Sequence, residues 1–169
     1  MSTLRTCKLW LGGGVMAICL VIPTGCAELP GGAVRQIKQA DQSYRLARFA
    51  ESERLASQVI EAHPDKPDTA EAYYLRGLSR VRLGRKSSAA SDFENGLRLC
   101  QREELGVLLS LQLGNMAYEA GAYVRAARFL GRAMPKLPAS APGDETWYRY
   151  AHSLQRSGNF ADAGEAFHR

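Results

Sequence analysis

The chain has 169 residues, nearly half of them hydrophobic, and 22 lysines and arginines against 17 acidic residues, which gives a formal net charge of +5. Because this excess is small and the two signs are interspersed, the charge pattern gives no support for a nucleic-acid-binding protein that works through a basic surface. None of the four cysteines is paired at metal-binding spacing, so the sequence gives no support for a zinc site.

The first predicted element is an apolar stretch near the N-terminus. Arg5 and Lys8 precede fourteen uncharged residues, Leu9 to Ile22, and no acidic residue occurs before Glu28. This stretch is shorter than a transmembrane helix, which needs about 20 apolar residues. A basic start followed by a short apolar core is typical of a secretory signal. We therefore predict a signal peptide over residues 1–25; the alternative is a short buried helix.

The apolar stretch leads into the sequence IPTGC at residues 22–26. This run resembles a bacterial lipobox, in which a small residue and then Gly or Ala precede a cysteine, although Pro23 departs from the aliphatic residue usual there. The resemblance implies cleavage before Cys26, lipidation of that cysteine, and export to the periplasmic face of the bacterial envelope. Ala27 stands where an aspartate would retain the protein at the inner membrane, which favours the outer membrane. The alternative is a secreted protein cut near Gly25 or Ala27.

Processing before the lipobox cysteine leaves 144 residues with a net charge of +3 and Cys100 as the only unmodified cysteine. No internal disulfide can form in that chain, so its stability must come from packing. The residues Leu29 to Gly32 read as flexible chain. We therefore predict a lipid-proximal tether over residues 26–32 and a folded domain over residues 33–169.

The folded domain shows internal self-similarity. Its clearest unit spans residues 107–140 and contains Leu113, Gly114, Tyr118, Gly121, Tyr123, Ala126, Leu130, Ala133 and Pro138. This pattern resembles the tetratricopeptide repeat, a pair of antiparallel helices of about 34 residues. Matching units start at 33, 70, 107 and 144, a constant spacing of 37, and the last unit is incomplete. The resemblance implies an all-α fold, a right-handed α-solenoid of about 3.5–4 units. The alternatives are an ordinary helical bundle and a Sel1-like repeat.

Packing explains why these residue types recur. Small residues let the two helices of a unit approach closely, and they occur at Gly77, Gly114, Ala151, Ala89, Ala126 and Ala163. A left-handed residue is common at the end of a helix, and glycine occupies that position at Gly84, Gly121 and Gly158. Aromatic residues then fill the turn, at Phe49, Tyr123 and Phe160. Unit two departs from the family at Arg76, where leucine is usual, and at Lys86, where an aromatic residue is usual.

No constellation of residues indicates catalysis. The three histidines, His63, His152 and His168, do not show the spacing of metal ligands. Cys100 lies near Arg98 and could be a reactive thiol, but a structural role is the simpler interpretation. We therefore predict a chain that is not an enzyme and that needs no metal or cofactor.

In tetratricopeptide proteins, five positions of the first helix line a concave groove. Carried over to this chain, they give Asp41, Tyr44, Arg45, Tyr74, Leu78, Val81, Arg82, Leu111, Asn115, Tyr118, Glu119, Tyr148, His152, Gln155 and Arg156. Tyrosine and arginine are frequent anchors of protein interfaces; the alternative for the tyrosines is core packing. Chaperone-binding members hold a C-terminal carboxylate with a Lys–Asn clamp. That clamp is absent from its positions here, so recognition of an acidic C-terminal peptide is not indicated.

We therefore expect a non-catalytic protein–protein interaction scaffold that is lipid-anchored at the bacterial envelope and supports assembly of an outer-membrane or envelope complex. Its partner would be a protein or peptide in the groove and not a nucleic acid. Residues 63–85 are somewhat similar to assembly lipoproteins of the outer-membrane β-barrel machinery. Two alternatives stay open: a structural protein that forms homo-oligomers through its incomplete fourth unit, and the non-catalytic repeat region of a longer envelope protein.

Overall fold

The computed structural model describes residues 29–137 and 144–168. The predicted signal peptide, the lipidation site at Cys26 and the segment 138–143 lie outside these residues. Within them the chain forms eight α-helices and one short 3-10 helix, and no strand. Each α-helix packs against the next one along the chain. The predicted all-α architecture of stacked helix pairs is confirmed.

The helices form four pairs, which we call units one to four. Unit one contains α1 (Gly31–Arg45) and α2 (Phe49–Ala62), and unit two contains α3 (Thr69–Arg82) and α4 (Lys86–Leu99). Unit three contains α5 (Glu103–Glu119), α6 (Tyr123–Ala133) and the 3-10 turn Met134–Lys136; unit four contains α7 (Asp144–Arg156) and α8 (Phe160–Phe167). The first helices of neighbouring units also touch, α1 with α3 and α5 with α7. None of the described helices has the length and apolar composition needed to cross a membrane.

Two boundaries differ from the sequence prediction. Helix α1 begins at Gly31, and Leu29 is buried in the same apolar cluster as Ile37. The residues Leu29 to Gly32 therefore belong to the packed first unit, and the prediction that they form a flexible tether is wrong. Unit three begins at Glu103, four residues before the predicted start, because its two leading glutamates interact favourably with the positive end of the helix dipole.

Small residues bring the two helices of each unit together, as predicted. A Cβ atom placed on Gly77 would lie 2.4 Å from the ring of Phe93, and one on Gly114 would lie 2.7 Å from the side chain of Leu130. Both large side chains are fully buried. The absence of a side chain on helix α3 or α5 is therefore what lets the core residue of the following helix enter the interface.

The turn after each first helix requires a left-handed residue. The predicted glycines have φ angles of 78°, 71° and 85° at Gly84, Gly121 and Gly158. Unit one places Ala47 at the same position, with φ 58°. An alanine pays a steric cost in this conformation because its Cβ atom approaches the backbone, whereas glycine does not.

We expect Ala47→Gly to stabilise the protein by roughly 0.5–1 kcal/mol, since relief of the left-handed strain exceeds the extra chain entropy that glycine loses on folding. Urea unfolding followed by circular dichroism measures this change. Gly84→Ala is the matched control at the same position of unit two, and it should shift stability in the opposite direction. A loss of stability in Ala47→Gly would contradict the strain at this turn.

A largely buried ion network joins the two helices of unit two to each other and to α2 of unit one. The carboxylate of Asp92 is 2% exposed and accepts hydrogen bonds from Arg76 at 2.7 Å and from Arg80 at 2.8 Å. Arg80 also donates to Glu53 of α2 at 2.9 Å, and Arg85 donates to the same glutamate at 2.8 Å. The departure of Arg76 from the family's leucine is thus accompanied by an acidic partner on the facing helix.

Candidate protein-binding surface

The predicted groove residues gather at two of the three interfaces between units. At the interface of units one and two, the rings of Tyr44 and Phe49 meet edge to face, with centroids 5.4 Å apart. The guanidinium carbon of Arg82 lies 5.0 Å from the centroid of the Phe49 ring. On the same side, Arg45 donates to Asp41 at 2.8 Å. An aromatic–arginine contact therefore joins the turn of unit one to the first helix of unit two.

The interface of units three and four holds a larger group, the tyrosine–histidine cluster, made of Tyr118, Tyr123, Tyr148 and His152. The His152 ring centroid lies 5.7 Å from that of Tyr118 and 5.5 Å from that of Tyr123, both edge to face. Tyr148 stacks on His152 with centroids 5.7 Å apart and an interplanar angle of 11°. Four rings from two units thus form one continuous aromatic surface.

A hydrogen bond fixes the centre of the tyrosine–histidine cluster. The Tyr118 hydroxyl lies 3.0 Å from Nδ1 of His152. Burial raises the pKa of Tyr118, and the neighbouring Tyr148 and Tyr123 raise that pKa further. The phenol therefore keeps its proton at neutral pH. A protonated phenol can donate or accept, and which group donates in this bond depends on the histidine tautomer.

Two arginines of unit four cover rings of unit three. Arg149 lies 5.5 Å from the Tyr118 centroid, and Arg156 lies 5.3 Å from the Tyr123 centroid. Arg149 also donates to Asn115 of α5 at 3.3 Å, to Glu145 at 2.6 Å, and approaches Glu119 at 3.9 Å. These contacts hold α7 against α5 and place guanidinium groups at the edge of the aromatic surface.

The predicted groove residues of unit two have a different environment. Tyr74, Leu78 and Val81 are half-buried and pack against the core cluster around Phe93. Burial raises the pKa of the Tyr74 hydroxyl. Core packing, the alternative considered for the tyrosines, describes this residue better than an exposed contact. Of the remaining positions, Leu111 is half-buried and Gln155 is exposed.

The sequence analysis did not assign Phe49, Tyr123 and Arg149 to the binding surface. A spacing in the sequence could have identified Phe49 and Tyr123. Each second helix begins with a residue that contacts the last residue of the next unit's first helix, 33 positions later. These pairs are Phe49 with Arg82, Lys86 with Glu119, and Tyr123 with Arg156. Where Lys86 replaces the aromatic residue, Glu119 replaces the arginine, and the two pair at 2.7 Å. The third missed residue, Arg149, has no such signal.

The interface of units two and three contains a cavity of about 330 Å³. Its lining includes Ala90 and Ala117. The corresponding residues at the preceding interface are Glu53 and Arg80, whose ion pair fills the space there. Two alanines in place of two long side chains leave this open space between α4 and α5.

Comparison with solved structures identifies the fold. No protein-family model and no curated protein sequence matches the chain. It is similar to a solved double mutant of MamA (RS-1 ArsTM), with a TM-score of 0.64 and 18% sequence identity over 82% of this chain and 73% of that one. A second solved MamA structure has a TM-score of 0.47 and 14% identity, covering 80% of this chain and 88% of that one. MamA is built of tetratricopeptide repeats, and the first comparison shows that this chain has a tetratricopeptide-like fold.

Proposed function

We propose that this chain is a non-catalytic scaffold that binds a protein or peptide on the surface formed by the first helices of its units. The observation that carries the proposal is the tyrosine–histidine cluster with its two arginines. Tyr148 leaves 53% of its surface exposed although it stacks on His152. Tyrosine and arginine side chains contribute a large share of the binding energy in protein interfaces.

The cluster is also held in place before any partner arrives. Tyr118 is fixed by its hydrogen bond to His152, and that ring is stacked by Tyr148. Side chains that are already ordered lose little conformational entropy when a partner binds. A preorganised aromatic surface therefore favours protein binding over a purely structural role.

We expect Tyr148→Ala to weaken partner binding by about 30-fold, which corresponds to an interface hot spot of about 2 kcal/mol. In vivo photo-cross-linking followed by quantitative mass spectrometry measures how much of each partner is captured. Val124→Ala is the matched control, since it removes a 71% exposed apolar side chain from the second helix α6, outside the cluster. Equal capture by Tyr148→Ala and the unmodified protein would show that the cluster is not the binding surface.

We place this scaffold at the bacterial envelope, anchored by lipid at Cys26, where it supports assembly of an outer-membrane or envelope complex. The support is the sequence of residues 1–26, with its basic start, apolar core and lipobox-like end. One acyl chain gives only marginal membrane binding, so stable anchoring requires two or more.

We expect Cys26→Ser to abolish palmitate labelling and to move the protein from the membrane fraction to the soluble fraction. Metabolic labelling and cell fractionation measure both effects. Cys100→Ser is the control and should leave labelling unchanged. Persistent labelling of the Cys26→Ser protein would rule out the lipoprotein assignment.

Self-association is the second candidate function, and one observation favours it. Phe160 and Phe167 of α8 are 70% and 48% exposed, and the Phe167 ring lies 6.1 Å from that of Tyr148 between centroids. A second copy could cover these rings on unit four. Light scattering over a concentration series tests the idea, since a monomer at every concentration contradicts it.

A further inference from the structure

We propose that the partner carries two carboxylate side chains, at separate positions of an extended segment, that pair with Arg82 and Arg156. This inference rests on the proposed function, because it names the chemistry of the segment that the first helices would bind. It differs from recognition of a C-terminal carboxylate, for which the family's clamp residues are absent.

The inference starts from the last residue of each first helix. These four residues occupy one register position and are all exposed: Arg45, Arg82, Glu119 and Arg156. The helix dipole favours a cation at this end of a helix, so the arginines alone do not indicate a ligand. The four residues differ in whether their charge is paired within the chain.

Two of the four charges are already neutralised within the chain. Arg45 pairs with Asp41 at 2.8 Å, and Glu119 pairs with Lys86 at 2.7 Å. Arg82 and Arg156 have no carboxylate partner among residues 29–137 and 144–168. Each instead lies over a ring of the preceding unit.

The stacking of Arg82 and Arg156 on aromatic rings determines which sign of charge a binding partner would carry there. The guanidinium groups of Arg82 and Arg156 cover faces of the Phe49 and Tyr123 rings, at 5.0 and 5.3 Å from the centroids. A cation of the partner placed over either ring would be repelled by the guanidinium group that already lies there. A guanidinium group that stacks on a ring keeps its N–H edge available, and that edge matches the two oxygens of a carboxylate. Charge complementarity therefore favours an acidic segment.

Two separate carboxylates are required, because the two arginines lie two units apart. Helices α3 and α7 end at Arg82 and Arg156, and unit three lies between them in the chain. One carboxylate therefore cannot pair with both arginines. Glu119 holds the same register position in unit three and is already paired with Lys86, so the central part of the segment needs no charge.

Selection from a displayed library of random 12-residue peptides on the purified full chain in detergent tests the inference. We expect the selected peptides to be enriched in pairs of Asp or Glu at separate positions, relative to the unselected library. Fluorescence polarisation of one enriched peptide should show about tenfold weaker binding to Arg82→Gln and to Arg156→Gln, as expected for loss of a charge-assisted hydrogen bond. Arg54→Gln is the matched control, because it removes an exposed arginine of α2, outside the first helices, whose charge is already paired with Glu51 at 2.6 Å, and its affinity should stay within about twofold.

The outcomes separate this inference from the proposed function. Selected peptides that bind at the first helices but lack acidic pairs would overturn the inference and leave the scaffold function standing. Equal losses in Arg54→Gln and Arg82→Gln would also overturn it, because the effect would then be general electrostatics. If no peptide is selected, the peptide-binding function fails, and the inference fails with it.

Discussion

Replacing Asp92 with alanine is expected to destabilise the protein by about 3 kcal/mol, because it leaves arginine side chains in a buried interface without their counter-charge. Asp92 is 2% exposed, and its partners Arg76 and Arg80 are 14% and 21% exposed. The loss falls at the lower end of the range for buried pairs, since Arg80 keeps its bond to Glu53. Urea unfolding followed by circular dichroism gives the free energy of unfolding.

A surface ion pair provides the control for Asp92→Ala. Glu94 is 50% exposed and pairs with Arg125 across units two and three at 2.7 Å. Glu94→Ala should cost less than about 1 kcal/mol, because exposed pairs contribute little to stability. If both variants lose the same stability, the network around Asp92 is not a buried electrostatic interaction. Unit three carries Leu113 and Phe129 at the positions of Arg76 and Asp92, so an apolar pair is compatible with this fold.

Gly77→Ala is expected to cost about 3 kcal/mol, the second large effect. The added Cβ atom would lie 2.4 Å from the ring of Phe93, which is fully buried. Overpacking a filled core forces side chains from their preferred rotamers or displaces the helix. Thermal and urea unfolding both measure the loss.

Helix propensity acts in the opposite direction and must be separated from packing. Gly106 lies in α5, and an added Cβ atom there would meet nothing within 4 Å. Gly106→Ala should therefore stabilise the protein by about 0.5–1 kcal/mol through helix propensity alone. A gain in stability for Gly77→Ala as well would show that α3 and α4 are not in tight contact.

The repeat architecture was predictable because small residues and turn glycines recur at a spacing that a single sequence displays. The glycines at 84, 121 and 158 marked three turns correctly, and the structure adds Ala47 as the fourth left-handed residue. The ion network was less visible, because Asp92 resembles any charged residue on a solvated helix face. Only its position opposite Arg76 makes it a core residue.

The candidate surface was predictable only in part. Tyr118, Tyr148 and His152 were named from the family's groove positions, whereas Tyr123 was assigned to the turn. The contact of Tyr123 with His152 depends on the orientation of unit four relative to unit three. The residue pattern within a single unit does not determine that orientation. Tyr74 shows the opposite. It was named as a groove residue, but its ring packs against Phe93 and is half-buried.

The cavity between units two and three has a consequence for how the solenoid opens. In a linear array of repeats, stability is a sum over units and nearest-neighbour interfaces, so separation begins at the weakest interface. Opening at the cavity would divide the molecule into two halves, each retaining its aromatic–arginine contact. An acidic segment that reaches from Arg82 to Arg156 would cross the interface of units two and three and hold the two halves together. Partner binding and resistance to unfolding would then be thermodynamically linked, and protection from hydrogen exchange across α4 and α5 would report occupancy of the surface.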